Sequence, residues 1–514
     1  MYTNAAKTVI VFLLTAVVFA GCDDIFDTEP GTSVTQEQTL TSPDGVEALR
    51  ATMYSSLRGS FSFTTQYFVG PAAFADLTRN SVGSSRYQES HAEAQDGDGQ
   101  TDHITAWSPG YGLINEANLL IHGVEEGVLD EATRQQYRGE ALAMRAFAMH
   151  HMVRGLGYEP HMIDESSAPN WDLGIILRTE PTQNLEDADE RPRANVHEVY
   201  DQIHDDLNDA EDLLEEYGSG ARNYMNADFV KGLRARVHLY EGEWQAAYEA
   251  ADDAIASFEN SLADDQESVA TMFGHPEFVG EGSHSEALFF LDPDPATEQL
   301  ASSASDSPAG YTGNQWVAQV PTDRWLNLYD EDDYRFGNIA DNEGWFEPCQ
   351  SRTLGDVTPE DCEVVNDLGW MAIKWSGEKG QLSDNVPYLR LSELYLIQAE
   401  AVEHGASGNG LEALNTLRGA RGLDDLDDYD LDEILDERVR ELGLEGHRFW
   451  DKKRLGRDIT HVDWQQFEDG DPKFTWEDSF RYIGMIPLDE LSVNNELCQN
   501  PGYAGFGNNP DLCP

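Results

Sequence analysis

The chain has 514 residues and carries 96 Asp and Glu against 33 Lys and Arg, a formal net charge of −63. Clustered cations are needed to neutralise phosphates, so this balance all but excludes nucleic-acid binding. Length sets a soft prior of about three domains. The acids are spread along the whole chain rather than gathered in one tail, which fits a salty habitat better than a cationic partner. At molar salt the Debye length falls to about 3 Å and self-repulsion is screened.

The first element is an apolar run over residues 8–20, preceded by Lys7. A membrane-spanning helix needs about 20 apolar residues, so this shorter run reads as a secretory signal. It ends Phe19-Ala20-Gly21-Cys22, which resembles a bacterial lipobox. On that resemblance residues 1–21 are removed and Cys22 becomes a lipidated N-terminus; the alternatives are an uncleaved anchor or an ordinary signal with a chance Cys. Residues 22–43 are polar and read as a tether.

Helices are expected over 44–57, 113–125, 131–154 and 196–217, then a hairpin of helices over 228–241 and 243–258. In the hairpin Trp244, Ala247, Ala251 and Ala254 fall on one face, a tetratricopeptide-like pattern of an aromatic followed by small residues. Further helices are expected over 387–404, 411–421 and 431–445, and "EALFFL" reads as a short strand. The regions 60–110 and 273–382 are loop-rich and mix aromatics with Gly, Ser and Asp. The fold class is therefore mainly α: tetratricopeptide-like helix pairs in an irregular scaffold, with long loop-rich insertions and a few short strands.

Four cysteines remain after Cys22, in two local pairs, Cys349/Cys362 and Cys498/Cys513. Three connectivities are open; an exported chain favours the two local disulfides. A zinc site is the rival, without a C-x-x-C or clustered His to support it. Asp96, Asp98 and Asp102 are a weak candidate for a structural calcium, since the Gly and terminal Glu of an EF-hand are absent. Otherwise no cofactor or metal is indicated. Glu437, Glu441 and Glu445 lie four apart on one helix beside Arg438, Arg440 and Arg448. Paired carboxylates could serve a glycosidase, but this stripe reads as an ion-paired packing seam. His150 and His151 are neighbours on a helix, point to different faces, and read as packed or solvated. No nucleophile elbow, phosphate loop or H-E-x-x-H is present.

Several stretches together resemble one family. They are "LRLSELYLIQAEAVEHG" with "ALNTLRGARGL", "ILDERVRELGLEGHRFWDKKRLG", the tail "IPLDELSVNNELCQNPGY", and earlier "EALAMRAFAMHHMVRGLGYEP" and "FVKGLRARVHLYEGEWQAAYEAADDAI". In this order, behind a lipobox, they resemble the starch-binding SusD-like/RagB family of outer-membrane lipoproteins of the Bacteroidetes group. The resemblance implies a single fold over 44–514, with an N-terminal helical half (44–260) and a C-terminal half (261–514). It also implies a non-enzymatic, lipid-anchored protein on the outer membrane, facing the exterior. Such a protein captures oligosaccharides and delivers them to a SusC-like TonB-dependent transporter. A peptide-binding RagB-like subunit is the alternative, and an exported glycoside hydrolase a weaker one. Sugars lay their C–H faces on aromatic rings while polar groups bind the hydroxyls. The candidate ligand residues are therefore Tyr87, Trp107 and Tyr111, with Asp76 and Arg79, and Trp316, Trp345 and Trp370 from the second loop-rich block. Trp375, Trp450 and Trp464 read as structural.

Overall fold

The computed structural model describes residues 39–58, 63–80, 106–166, 171–184, 189–273, 286–293, 319–336, 344–348, 370–375, 383–460, 472–477 and 480–503, with a few single positions between them. Cys22, Tyr87, Trp316, Cys349, Cys362, Trp464, Cys513 and the three aspartates of the calcium candidate lie outside these residues, as does the signal segment.

Ten helices form the described frame. They are α1 (Pro43–Ser56), α2 (Trp107–Asn118), α3 (Glu131–Leu156), α4 (Val196–Tyr217), α5 (Ala227–Glu241), α6 (Trp244–Ser257), α7 (Leu391–Glu403), α8 (Gly410–Ala420), α9 (Leu431–Leu442) and α10 (Arg448–Arg454). Among the described residues, none is long and apolar enough to cross a membrane. Polar side chains set their starts. Ser42, Asp130, Asn226, Asn409 and Asp430 each accept a hydrogen bond from a first-turn backbone N–H, and Asn195 with Glu198 forms a reciprocal capping box. Gly242 closes α5 in the left-handed region at φ +76°, so the chain reverses into α6 within two residues.

From α1 to α8 each helix packs on the next in chain order, α1 on α2, α2 on α3, and so on through α7 on α8. This is the stacking of a helical repeat, even though the insertions make its spacing irregular in sequence. The second half of α3 is buried on every side. Ala141, Ala143, Ala146 and Ala148 are fully covered, so neighbouring helices can approach closely. In the α5–α6 hairpin Ala247, Ala251 and Ala254 are fully buried as the spacing predicts, while Trp244 is half-buried and stacks on His404 at 4.0 Å. His150 and His151 are both packed inside α3.

The strands are short and paired in twos, all antiparallel. β1 (Thr78–Asn80) pairs with β3 (Gln319–Pro321), β2 (Ala287–Leu291) with β6 (Val386–Arg390), β4 (Phe346–Pro348) with β5 (Trp370–Ala372), and β7 (Ile459–Thr460) with β8 (Pro472–Phe474). The helix expected over 387–404 is thus corrected at its start: residues 386–390 are β6, and α7 begins at Leu391. Pro387 could open a helix, but it pairs with Phe290 of β2, far earlier in the chain, and that pairing holds this stretch extended.

The glutamate stripe is a buried ion-pair seam, but the helix expected over 431–445 is corrected at its end: α9 stops at Leu442, Leu444 is left-handed at φ +65°, and Glu445 follows the helix rather than sitting on it. Glu437 binds Arg335, Arg418 and Arg440; Glu441 binds Arg335, Arg390 and Arg421; Glu445 binds Lys374 and Arg390. Glu286 at the start of β2 joins Arg390 and Arg421 to the same network. Most of these cations come from distant chain segments. Of the adjacent arginines only Arg440 pairs with the stripe, while Arg438 binds Asp451 and Arg448 binds Asp76. The C-terminal half is therefore knit together by buried charge-assisted hydrogen bonds, and the Arg448–Asp76 pair ties it to the N-terminal half.

Candidate functional site

The helix carrying the aromatic candidates starts six residues earlier than expected, at Trp107 rather than Leu113. Pro109 and two glycines look like loop, yet a proline in the first turn sacrifices only an N–H that has no helical partner. Ala106, just before it, adopts φ +47° and ψ +38°. This left-handed conformation is uncommon for a residue with a side chain and costs on the order of 1 kcal/mol. It turns the chain so that Trp107 enters α2 directly.

Starting α2 at Trp107 puts Trp107, Tyr111, Asn115 and Asn118 on one helical face, at i, i+4, i+8 and i+11. Residues 176–182 run past this face as an extended wall, and α2 side chains pair its backbone at every second residue. The Tyr111 hydroxyl accepts from the Ile176 N–H (2.8 Å) and donates to the Ile176 carbonyl (3.2 Å). Asn118 Nδ2 donates to the carbonyls of Arg178 (3.0 Å) and Glu180 (3.1 Å). Asn115 exchanges two bonds with the backbone of Thr182, accepting at 2.7 Å and donating at 3.2 Å. The polar backbone of the wall is thereby satisfied by side chains instead of a neighbouring strand.

Behind this face, Arg145 on α3 donates to Asn118 Oδ1 (2.6 Å) and to the Thr179 carbonyl (3.1 Å), and holds Asp206 of α4 by two bonds of 2.7 and 2.6 Å. The asparagine that grips the wall is therefore itself fixed by a buried arginine. At the start of the wall, Arg193 donates to the carbonyls of Leu156, Leu173, Gly174 and Cys498 and to Asn500 Oδ1. This ties the C-terminal tail to the same corner, where Glu490 reaches the cavity.

The result is an open cavity of about 440 Å³ between α2, the wall and the tail. It is lined by the aromatic pair Trp107 and Tyr111, by Ser108, Gly112, Ile114, Asn115, Asn118 and Ile176, and by Arg178, Glu180, Thr182 and Glu490. A second hollow of about 320 Å³ shares Arg178, Glu180 and Thr182 and adds Asp187, Asp189 and Arg191. Arg178 and Arg191 both pair with Asp189, which these guanidiniums hold at a pKa of about 2. Trp107 and Tyr111 meet edge to face with centroids 5.0 Å apart. Trp107 is only 2% exposed, so it forms the floor of the cavity rather than a free platform. Burial pushes the Tyr111 hydroxyl well above the usual phenol range, which keeps it a neutral donor and acceptor. An apolar floor, a ring of polar groups and a preformed wall can hold a neutral polyhydroxylated ligand without chemistry.

Of the predicted ligand residues, the structure brings Trp107 and Tyr111 together and leaves the other described ones elsewhere. Asp76 is fully buried. It binds Arg448 by two hydrogen bonds and Arg324 at 3.1 Å, so its acceptors face protein rather than solvent. Trp345 is 1% exposed; its indole N–H donates to the Val269 carbonyl, and Lys374 lies 4.0 Å above its ring. Both are corrected to scaffold residues. Trp370 is half-buried in β5 against Phe336, and Arg79 sits in β1, half-exposed. Trp375 and Trp450 are fully buried, as structural residues should be. Asn115, Asn118, Arg178, Glu180, Thr182 and Glu490 were not anticipated. The helical spacing of Tyr111, Asn115 and Asn118 would have revealed the asparagines had the helix been started at Trp107, but nothing local in residues 176–182 signals the partner face.

Comparison with known proteins gives a consistent result. Residues 360–503 match the model of the SusD family, and residues 34–226 match a model described as starch-binding associating with outer membrane. A SusD-like protein of Formosa agariphila is 24% identical over 499 residues, covering 89% of this chain and 92% of that one. The starch-binding protein SusD of Bacteroides thetaiotaomicron is 31% identical over 120 residues, 23% of this chain and 22% of that one. Among solved structures, a SusD superfamily protein from Bacteroides thetaiotaomicron superposes with a TM-score of 0.72 at 23% identity, covering 91% of this chain and all of that one. A laminarin-binding SusD-like protein superposes with a TM-score of 0.66 at 20% identity, covering 90% of this chain and all of that one. At these identities the structural likeness speaks for the fold.

Proposed function

Because this chain belongs to the SusD-like family, we propose that it is a cell-surface lipoprotein that captures an oligosaccharide in the Trp107–Tyr111 cavity and passes it to a TonB-dependent outer-membrane transporter. The reading is supported above all by the cavity, which combines an aromatic floor with Arg178 and Glu180 on a wall already held in place and Glu490 from the C-terminal tail. A preorganised wall lets ligand binding proceed without a further ordering cost. The carbohydrate class is favoured by the starch-binding description of the N-terminal family model. Binding without catalysis completes the reading, with the chain anchored through Cys22 and stapled by Cys349–Cys362 and Cys498–Cys513 in an oxidising compartment.

The test is calorimetric titration of the lipid-free chain, at high salt, with maltooligosaccharides, β-glucan oligosaccharides and mixed peptides. One glycan class should bind, and Arg178→Ala and Glu490→Ala should each weaken it about tenfold, roughly 1.4 kcal/mol, with folding unchanged. Peptide binding alone would transfer the site to the RagB-like reading. Release of reducing ends from any glycan would replace binding with hydrolysis. The anchor is tested separately: Cys22→Ala should release the chain from the outer-membrane fraction.

A further inference from the structure

α4 packs against α5 and brings together two imidazoles and a carboxylate, none of which lines the cavity. His204 comes from α4, and His238 and Glu241 from the last turn of α5, three residues apart on one face. His204 Nε2 lies 2.6 Å from Glu241 Oε2, and His238 Nδ1 lies 3.4 Å from the same oxygen. The two rings sit 4.6 Å apart at 30°, and the three donor atoms all lie within 4.8 Å of one another.

A hydrogen bond between His204 and Glu241 accounts for only part of this arrangement. His238 Nδ1 is a buried atom that makes no well-aligned hydrogen bond, and the oxygen 3.4 Å from it already faces His204. A cation between the three would take up that nitrogen. In a tetrahedral zinc site, bonds of about 2.0–2.2 Å put neighbouring donors about 3.3 Å apart, and the observed 2.6 and 3.4 Å bracket that spacing. The third separation, between the two imidazole donors, is within 4.8 Å, so closing the site needs at most about 1.5 Å of side-chain movement on this arithmetic.

The surroundings favour a cation. The group lies at the C-terminal end of α5, where the helix dipole is negative. The basic residues nearby on α5 are engaged elsewhere: Lys231 pairs with Glu215 at 3.0 Å, and Arg234 pairs with Glu211. Side-chain exposures of 22%, 20% and 15% for His204, His238 and Glu241 leave the group reachable from solvent. Two nitrogens and one oxygen suit Zn²⁺, whereas Ca²⁺ and Mg²⁺ prefer oxygen alone.

We propose that His204, His238 and Glu241 form a Zn²⁺ site that clips α4 to α5, with water in the fourth position. On binding, the metal replaces the proton shared between His204 and Glu241, which leaves to solvent. The site is independent of the glycan cavity and of any reading of it.

The experiment strips the lipid-free chain with chelator, dialyses it against Zn²⁺ in molar NaCl with excess Mg²⁺ and Ca²⁺ to saturate the acidic surface, and counts bound zinc by elemental mass spectrometry. Co²⁺ substitution reports the geometry through its visible ligand-field absorption. One zinc per chain should survive dialysis, and Co²⁺ should give the strong bands of a tetrahedral site. His204→Gln and Glu241→Gln should lose both signals, while His197→Gln, exposed on the same helix, should keep them. His238→Gln gives a further variant that keeps the 2.6 Å His204–Glu241 contact; its urea midpoint in chelator should match the wild type, which separates loss of zinc from unfolding. Absence of stoichiometric zinc in the wild type, or its retention in all three ligand variants, would reduce the group to an imidazole–carboxylate hydrogen bond and overturn the proposal.

Discussion

Asp76 and Arg448 hold each other by two hydrogen bonds, of 2.6 and 2.8 Å, across 372 positions of the chain. Asp76 leads into β1 and Arg448 opens α10, and the carboxylate is fully buried. Removing one member of such a pair leaves an uncompensated buried charge and typically costs about 3–5 kcal/mol. Arg448→Ala and Asp76→Ala should therefore each lower the unfolding free energy by that order, read as a fall in the urea midpoint, and the double variant should cost less than the sum. Glycan affinity of the folded fraction should stay unchanged. A change in affinity at constant stability would return Asp76 to the ligand site.

Tyr111→Phe separates the ring from its hydroxyl. The ring still floors the cavity, but the Ile176 N–H and carbonyl lose their partner. An unsatisfied buried backbone group costs about 1–3 kcal/mol, and here the cost falls on the wall. Amide exchange at 174–180 should accelerate and ligand affinity should fall, with little change in global unfolding. Unchanged exchange would mean that the asparagines alone hold the wall.

Much of the frame was legible in the sequence because its signals are local. Caps, glycine stops and the small-residue face of the α5–α6 hairpin depend on residues a few positions apart, and those helices lie within one or two residues of expectation, except that α9 ends three residues early at Leu442. The errors have non-local causes. Residues 386–390 are strand because β2 pairs with them, and Trp345 and Asp76 are core because Val269, Lys374 and Arg448 meet them from far along the chain. Loop aromatics mark a site only when the scaffold leaves them a cavity, and this chain grants one to Trp107 and Tyr111. The glutamate stripe was readable as a seam from its spacing, but its principal partners, Arg335, Arg390 and Arg421, are distant in sequence and could not be.

Acid should unfold the protein in two stages. Burial, with Arg154 and Arg236 nearby, holds His150 and His151 well below the usual histidine range, and burial with Arg236 and Arg438 does the same for His447. The unfolded chain takes up protons at these positions below about pH 6.5, while the folded chain does not. Stability therefore falls as pH drops from there. Burial alone would raise Glu437, but Arg335, Arg440 and Arg418 outweigh it and hold its pKa at about 2; Arg421, Arg390 and Arg335 keep Glu441 well below the usual range. Their stabilisation is complete above the unfolded value near 4.3 and is lost as pH falls through about 2. Urea midpoints at constant molar salt should decline from pH 7 to 5 and more steeply below 4. His150→Gln should flatten the first stage alone.

The charge imbalance has a local test on α4. Asp201, Asp205, Asp209, Asp212 and Glu216 are all exposed there, at helical spacings of four, four, three and four. Like charges so placed repel by roughly 0.2–0.5 kcal/mol per pair, and this column lies on a chain with net charge −63. Salt should raise the thermal midpoint of the wild type steeply, because the Debye length shrinks from about 30 Å at 0.01 M to about 3 Å at 1 M. Asp209→Lys turns two repulsive pairs into attractive ones and should stabilise by about 1 kcal/mol at low salt, with most of the gain gone at 1 M NaCl. Asp209 lies in the turn after His204, so the comparison is made in chelator to remove any metal contribution. A gain of equal size at both salt concentrations would assign the effect to helix propensity, since lysine is the better helix former, and would remove repulsion along this column as a source of salt dependence.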